Sequence, residues 1–208
     1  MIGAKSRIFQ RMTLATLLSV SAAMPVFAQS SQNNAHITIE NPANLSMEEA
    51  IGIYGDLKAR MRVGFAASKL EMIEGYQNWE LFNRAPYVSA THGNRFVNSY
   101  ANHIASNYGT LKAGEKLPVG SVLAKDSITV TTEDHIFPGA LFVMEKLAPG
   151  ASPATADWRY VMVLPDGSVF GDTTGDRSGS VAYCHECHEA VADRDYTFFV
   201  PEAYLKPE

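Results

Sequence analysis

The 208-residue sequence predicts an α+β protein: a mainly antiparallel β sheet with an N-terminal helical segment in front of it. Three observations predict this class. Ser46-Met47-Glu48-Glu49 has the pattern of a capping box, a side-chain acceptor followed three residues later by an acid. From Tyr76 the texture changes, and short apolar runs punctuated by Gly and Pro replace the helical period. Pro165-Asp166-Gly167 is a tight turn between two such runs, because Pro presets φ and Gly accepts a positive φ.

The elements follow in order. Lys5, Arg7 and Arg11 precede an apolar run from Thr13 to Met24, and Val26-Phe27-Ala28 supplies small residues at a cleavage site. Residues 1–28 therefore read as a secretory signal peptide, too short in its apolar part for the ~20 residues a membrane helix needs. Residues 29–45 form a polar leader poor in core residues. Residues 46–75 form the helical segment. Ile51, Tyr54, Leu57, Lys58, Met61, Phe65, Leu70 and Ile73 recur at roughly helical spacing, with Gly64 as a break point. Such a face packs under the sheet or across a dimer. Residues 76–208 form the main domain. Strands are expected near Tyr87–Val88, Arg95–Tyr100, Ser121–Thr131, Ala140–Lys146, Trp158–Leu164 and Ser168–Phe170, with a short helix within His103–Ala113. Gly171 to Ser180 is a polar, glycine-rich loop, and Glu189 to Asp195 a polar turn or helix.

Charge excludes some function classes. Residues 1–28 hold three basic residues and no acid, so removing them from 17 Lys and Arg leaves 14 against 22 Asp and Glu. A net charge of −8 disfavours nucleic acid or an anionic membrane surface as partner. No later stretch is apolar enough to span a bilayer, so an exported, periplasmic protein without a membrane span is expected.

The chemistry concentrates in Cys184-His185-Glu186-Cys187-His188, which contains both cysteines of the chain. A disulfide accounts for the cysteines but not for the adjacent His188. Four ligands crowded into five residues do not wrap a zinc ion. The C-x-x-C-H spacing suits one covalent haem c: each cysteine forms a thioether to a vinyl group, and His188 ligates the iron. The sixth iron position decides between electron transfer, ligand binding and catalysis. Met144, Met162, His92, His103 and His135 are able to fill it, and no pattern singles one out. An open position is the alternative.

Several segments, in order, resemble the cytochrome P-460 family, which includes the cytochromes c′-beta. They are Gly75-Tyr76-Gln77-Asn78-Trp79, His92-Gly93-Asn94-Arg95 with its following strand to Tyr100, Lys116-Leu117-Pro118-Val119-Gly120 with a strand ending in Lys125, Asp157-Trp158-Arg159-Tyr160, and the haem motif near the C-terminus. The resemblance implies a mainly antiparallel β fold, often a homodimer, with five-coordinate haem. It implies a haem cross-link at Lys125, a distal role for Arg95, and a place for Phe96 in the distal wall. It also implies a haem oxidoreductase that oxidises hydroxylamine or a related small nitrogen compound and passes electrons to an external carrier. A nitric oxide-binding protein of the c′-beta kind and a simple electron-transfer cytochrome c are the alternatives. Ser180 to Tyr183, just before the motif, holds no carboxylate to serve as a base.

Overall fold

The computed structural model describes residues 38–206. The expected signal peptide and residues 29–37 of the leader lie outside them. The capping box forms as its sequence demands. Ser46 accepts from the Glu49 backbone N–H, Glu49 accepts from the Ser46 N–H at 2.8 Å, and helix α1 runs over Met47–Ala66. The helix does not break at Gly64. It passes through this glycine because the turn at Pro165 crosses there. A Cβ on Gly64 would lie 2.0 Å from the Pro165 carbonyl oxygen. Beyond Ala66 the helical segment ends earlier than its spacing suggests, giving way to a 3-10 turn over Glu71–Ile73.

The sheet is antiparallel throughout. Its strands are β1 (Glu80–Leu81), β2 (Tyr87–Ser89), β3 (Arg95–Ala101), β4 (Val122–Val130), β5 (Ile136–Pro138), β6 (Leu141–Lys146), β7 (Trp158–Val163) and β8 (Val169–Asp172). The main order is β1-β3-β4-β6-β7-β8, with β2 also on β3 and β5 also on β4. The sequence missed β1 and β5, which are only two and three residues long. The helix expected within His103–Ala113 is instead two 3-10 turns, His103–Ala105 and Tyr108–Thr110. The last part of the polar leader joins the domain: Ala43 N–H donates to the Val130 carbonyl and Thr132 N–H to the Asn41 carbonyl.

Strand alternation gives the sheet two different faces. One face is covered by α1. Val122, Ala124, Ile128 and Val130 of β4, Phe96 and Tyr100 of β3, and Val143, Val161 and Val163 pack there with Ala50, Tyr54, Met61 and Phe65 of the helix. Full burial of such a side chain contributes about 1.5–3 kcal/mol. Ile51, expected in this stripe, is instead half exposed. Asp126 also points to this face. It accepts from Tyr54 Oη at 2.6 Å and from Tyr76 Oη at 2.9 Å. The opposite face carries Leu123, Met144, Trp158 and Tyr160, packed with Tyr108, Leu117 and Cys184. Helix α2 (Ala182–His188) lies on that second face, so the haem motif is helical.

Candidate functional site

The second face borders a cavity. Lys125, Cys184, Cys187 and His188 line it together with Thr91, His92, Phe142, Met144, Tyr160, Tyr183 and Phe198. Four of the five residues singled out from the sequence thus meet in one place. The fifth, Arg95, does not line it.

The α2 helix explains how the motif works as a unit. Residues three apart share a helix face, so Cys184 and Cys187 are neighbours, and His188 follows immediately. Both cysteines are free thiols; Cys184 is half-buried and Cys187 exposed. Burial, reinforced by the neighbouring Cys187, pushes the Cys184 thiol up to about 12. His188 is fixed from behind. Its Nδ1 lies 2.6 Å from the Tyr196 carbonyl oxygen, a partner that can only accept, so Nδ1 carries the proton. A histidine anchored in this way offers Nε2 to a metal. Its ring stands edge-on to Tyr160 at 5.5 Å and to Phe198 at 5.2 Å.

The Tyr196 carbonyl is itself held in place by an uncommon backbone. Asp195 and Tyr196 are consecutive non-glycine residues with φ of 51° and 64°. Such conformations persist where the surroundings enforce them. Here the anchor is Asp195, whose carboxylate accepts from Lys146 Nζ at 2.6 Å and from the Leu117 N–H at 3.0 Å. Both side chains of the ion pair are buried. Nothing in the local sequence marks this link, because its members lie 49 residues apart.

Lys125 sits in mid-strand on β4, opposite Ser99 of β3 and Phe142 of β6. Loss of hydration lowers its ammonium from 10.5 to about 8. No hydrogen bond or ion pair holds its Nζ among the described residues. The next residue, Asp126, faces the other way, towards α1.

Arg95 begins β3 and lies flat on the sheet. Gly139 makes this possible, since a Cβ there would meet Arg95 Cδ at 2.8 Å and Ser127 Oγ at 2.3 Å. Its Nη1 donates to the His92 carbonyl at 3.2 Å, and burial lowers its pKa. Arg95 thus braces the turn that carries His92 and interacts electrostatically with Tyr183 of the cavity wall. Phe96, expected in the cavity wall, faces α1 instead, because alternation puts it in register with Ile128 on the covered face. Phe142 takes the aromatic place beside Lys125. Sequence reasoning missed Phe142, Tyr160 and the Tyr196 carbonyl; a strand parity fixed by the position of α1 was the missing signal.

The candidates for a sixth ligand separate clearly. His103 and His135 are exposed, and Met162 packs with Ala140 and Val181 outside the cavity lining. Met144 lines the cavity in register with Tyr160, the residue that packs on His188. His92 also lines the cavity, its ring 4.8 Å from that of Phe142.

The residues present fit a haem group: two neighbouring thiols, an oriented imidazole and aromatic walls surround one cavity. No helix among the described residues is long and apolar enough to cross a membrane. No curated protein matches the chain. Residues 73–199 match the family model described as Cytochrome P460. That match spans more than half of the sequence, and it coincides with the sheet and the cavity: the chain belongs to the cytochrome P460 family of haem proteins.

Proposed function

We propose that this protein is a mono-haem c-type cytochrome that performs redox chemistry on hydroxylamine or a related small nitrogen oxide. One observation carries the reading: Lys125, with an unpartnered amine near neutrality, lines the same cavity as Cys184, Cys187 and His188. In the proposal, the two thiols add to the haem vinyl groups and His188 Nε2 ligates the iron. Haem supplies the one-electron chemistry and a binding position for the small nitrogen compound. The chain's own residues do the rest. Tyr196 holds His188 in the ligating tautomer. Lys125 would be the residue linked to the ring: its C–N bond would replace a ring C–H, with the two electrons and two protons passing to an external oxidant of the peroxide class, and the link would alter the ring's electronics. Arg95 braces the His92 turn. Electrons leave to an external carrier. Because thioether attachment of this kind takes place outside the cytoplasm, the proposal includes export directed by residues 1–28.

A second reading draws on Phe142 and His92, which line the same cavity as His188: capture of nitric oxide without turnover, as in the cytochromes c′-beta. Mass spectrometry of haem-bearing peptides, from protein matured by a c-type assembly system, tests both. Haem on the Cys184–Cys187 peptide together with a Lys125 peptide supports the redox enzyme. Haem held by thioethers alone turns the balance to nitric oxide capture. Haem missing from Cys184 and Cys187 sinks both readings.

A further inference from the structure

The α1 side of β4 carries a cluster that the cavity chemistry leaves unused. Asp126 follows Lys125 directly, so the cavity and Asp126 lie on the two faces of one strand. Tyr100 belongs to both sides: it borders the cavity, and its ring packs in the core under α1. Tyr54, Tyr76 and Tyr100 surround Asp126, and all three are buried. Tyr54 Oη donates to Asp126 Oδ2 at 2.6 Å, and Tyr76 Oη donates to the same oxygen at 2.9 Å. A phenol has one proton to give. With Asp126 ionised, Tyr100 Oη therefore donates to Tyr54 Oη, 2.7 Å away. Tyr100 and Tyr54 point their protons at one carboxylate in series, and Tyr76 does so directly.

The rings continue outwards from there. Tyr100 stands edge-on to Tyr76 with ring centroids 5.5 Å apart, and Tyr76 edge-on to Trp79 at 6.4 Å. Trp79 follows the 3-10 turn Tyr76–Asn78 and is half-buried, so the row of rings ends at solvent. Tyrosine and tryptophan are among the side chains that give up one electron most readily. A tyrosine does so only when its proton has an acceptor at hand, and here Asp126 is that acceptor. The arrangement is costly for the fold alone. Burial raises the Asp126 carboxyl to about 6, so its ionised form lowers stability at neutral pH. Perturbed titratable groups of this kind gather at functional sites.

We infer that Tyr100, Tyr76 and Trp79 form a one-electron path that drains oxidising equivalents from the haem cavity to the surface, with Tyr54 and Asp126 taking up the phenolic protons. This rests on the haem site proposed above and adds a protective function to it. The oxidant is of the peroxide class. Hydrogen peroxide takes two electrons and two protons at the haem and leaves as two waters. Each electron is replaced from this chain. Tyr100 gives one electron towards the cavity, its proton passes to Tyr54, and the proton of Tyr54 passes to Asp126. An electron from Trp79, relayed by Tyr76, refills Tyr100, and the protons return. An external one-electron reductant of the ascorbate class restores Trp79. Over the full cycle two reductant electrons and two solvent protons convert one peroxide to two waters, and no side chain is consumed.

The test treats matured ferric holoprotein with one equivalent of hydrogen peroxide and a nitroso spin trap. Haem on the Cys184–Cys187 peptide is confirmed first by mass. Spin-trap adducts are then mapped by peptide mass spectrometry, and bleaching of the haem absorption is followed over repeated peroxide additions. Wild-type, Trp79→Phe, Tyr100→Phe and Tyr204→Phe chains are compared. The Trp79 peptide should carry the adduct in wild type and in Tyr204→Phe, whose ring lies against Tyr87 outside the path. Tyr100→Phe should lose the Trp79 adduct, and Trp79→Phe should keep adducts on the Tyr76 or Tyr100 peptides. Both variants should bleach faster than wild type. Adducts confined to Tyr108, Tyr160 or Tyr183, which line the cavity themselves, overturn this proposal and leave the haem site standing. So does a Trp79 adduct that survives in Tyr100→Phe. Should Tyr100→Phe fail to fold, Trp79→Phe decides: bleaching at the wild-type rate overturns the path. Absence of haem from the Cys184–Cys187 peptide removes the underlying site and this proposal with it.

Discussion

Replacing Asp126 with Asn should change how the stability of this protein depends on pH. Asp126 is fully buried between the sheet and α1. Its Oδ2 accepts from Tyr54 and Tyr76, Tyr100 in turn contacts Tyr54 Oη at 2.7 Å, and Gln77 Nε2 donates to Tyr76 Oη at 3.2 Å. Burial outweighs the tyrosine hydrogen bonds and raises the carboxyl from 3.8 to about 6. A raised folded pKa means that the folded state holds its proton more tightly than the unfolded chain. Its stabilising contribution is complete below about pH 4 and is lost as pH rises through about 6. A change of that size corresponds to about 3 kcal/mol. For a chain of this length that is a change of about 6–12 °C in melting temperature. The amide of the variant cannot ionise, so the variant lacks this dependence on pH. Thermal unfolding of wild type and Asp126→Asn at pH 4 and pH 7.5 measures it, and the difference between the chains cancels every other titration. The variant should gain on wild type by up to about 3 kcal/mol between the two pH values. A difference that does not change with pH, or one that shifts in favour of wild type as pH rises, refutes the reasoning.

Other predictions follow from single contacts. Lys146→Met leaves Asp195 as an unpaired buried charge and should lower stability by about 3–5 kcal/mol in urea unfolding. It should also loosen the Tyr196 carbonyl on His188, which a shift in the reduction potential of the holoprotein reports. Gly64→Val drives side-chain atoms into the Pro165 carbonyl and should cost about 1–3 kcal/mol in the same assay, whereas Gly55→Ala, with nothing within 4 Å of its Cβ, should not destabilise. Ser46→Ala removes the N-cap acceptor of α1 and should cost about 1 kcal/mol, measured as a lower urea midpoint. Lys125→Met should abolish any haem-linked Lys125 peptide in mass spectrometry while the Cys184–Cys187 peptide keeps its haem.

Much of this protein was legible in residue order because the deciding interactions are local. The Ser46–Glu49 box, the turn at Pro165–Gly167 and the strand runs of β3, β4, β6 and β7 each depend on neighbours a few residues away. The C-x-x-C-H spacing likewise needs only about one helical turn to bring Cys184, Cys187 and His188 together. What the sequence left open was parity. A one-residue change of facing swaps Lys125 for Asp126 and Phe142 for a residue on the α1 side, and local pattern is silent because both β4 faces are buried. The docking of α1, through Tyr54 and Tyr76 on Asp126, assigns that face to the core and leaves Lys125 to the cavity. The same long-range packing set Arg95 beneath the His92 turn and tied Lys146 to Asp195. By itself the sequence determined which chemical groups this protein carries and the family to which they point. Tertiary structure decided which of them share a cavity, because strands far apart in the chain pair in one register and only one sheet face remains open to α2.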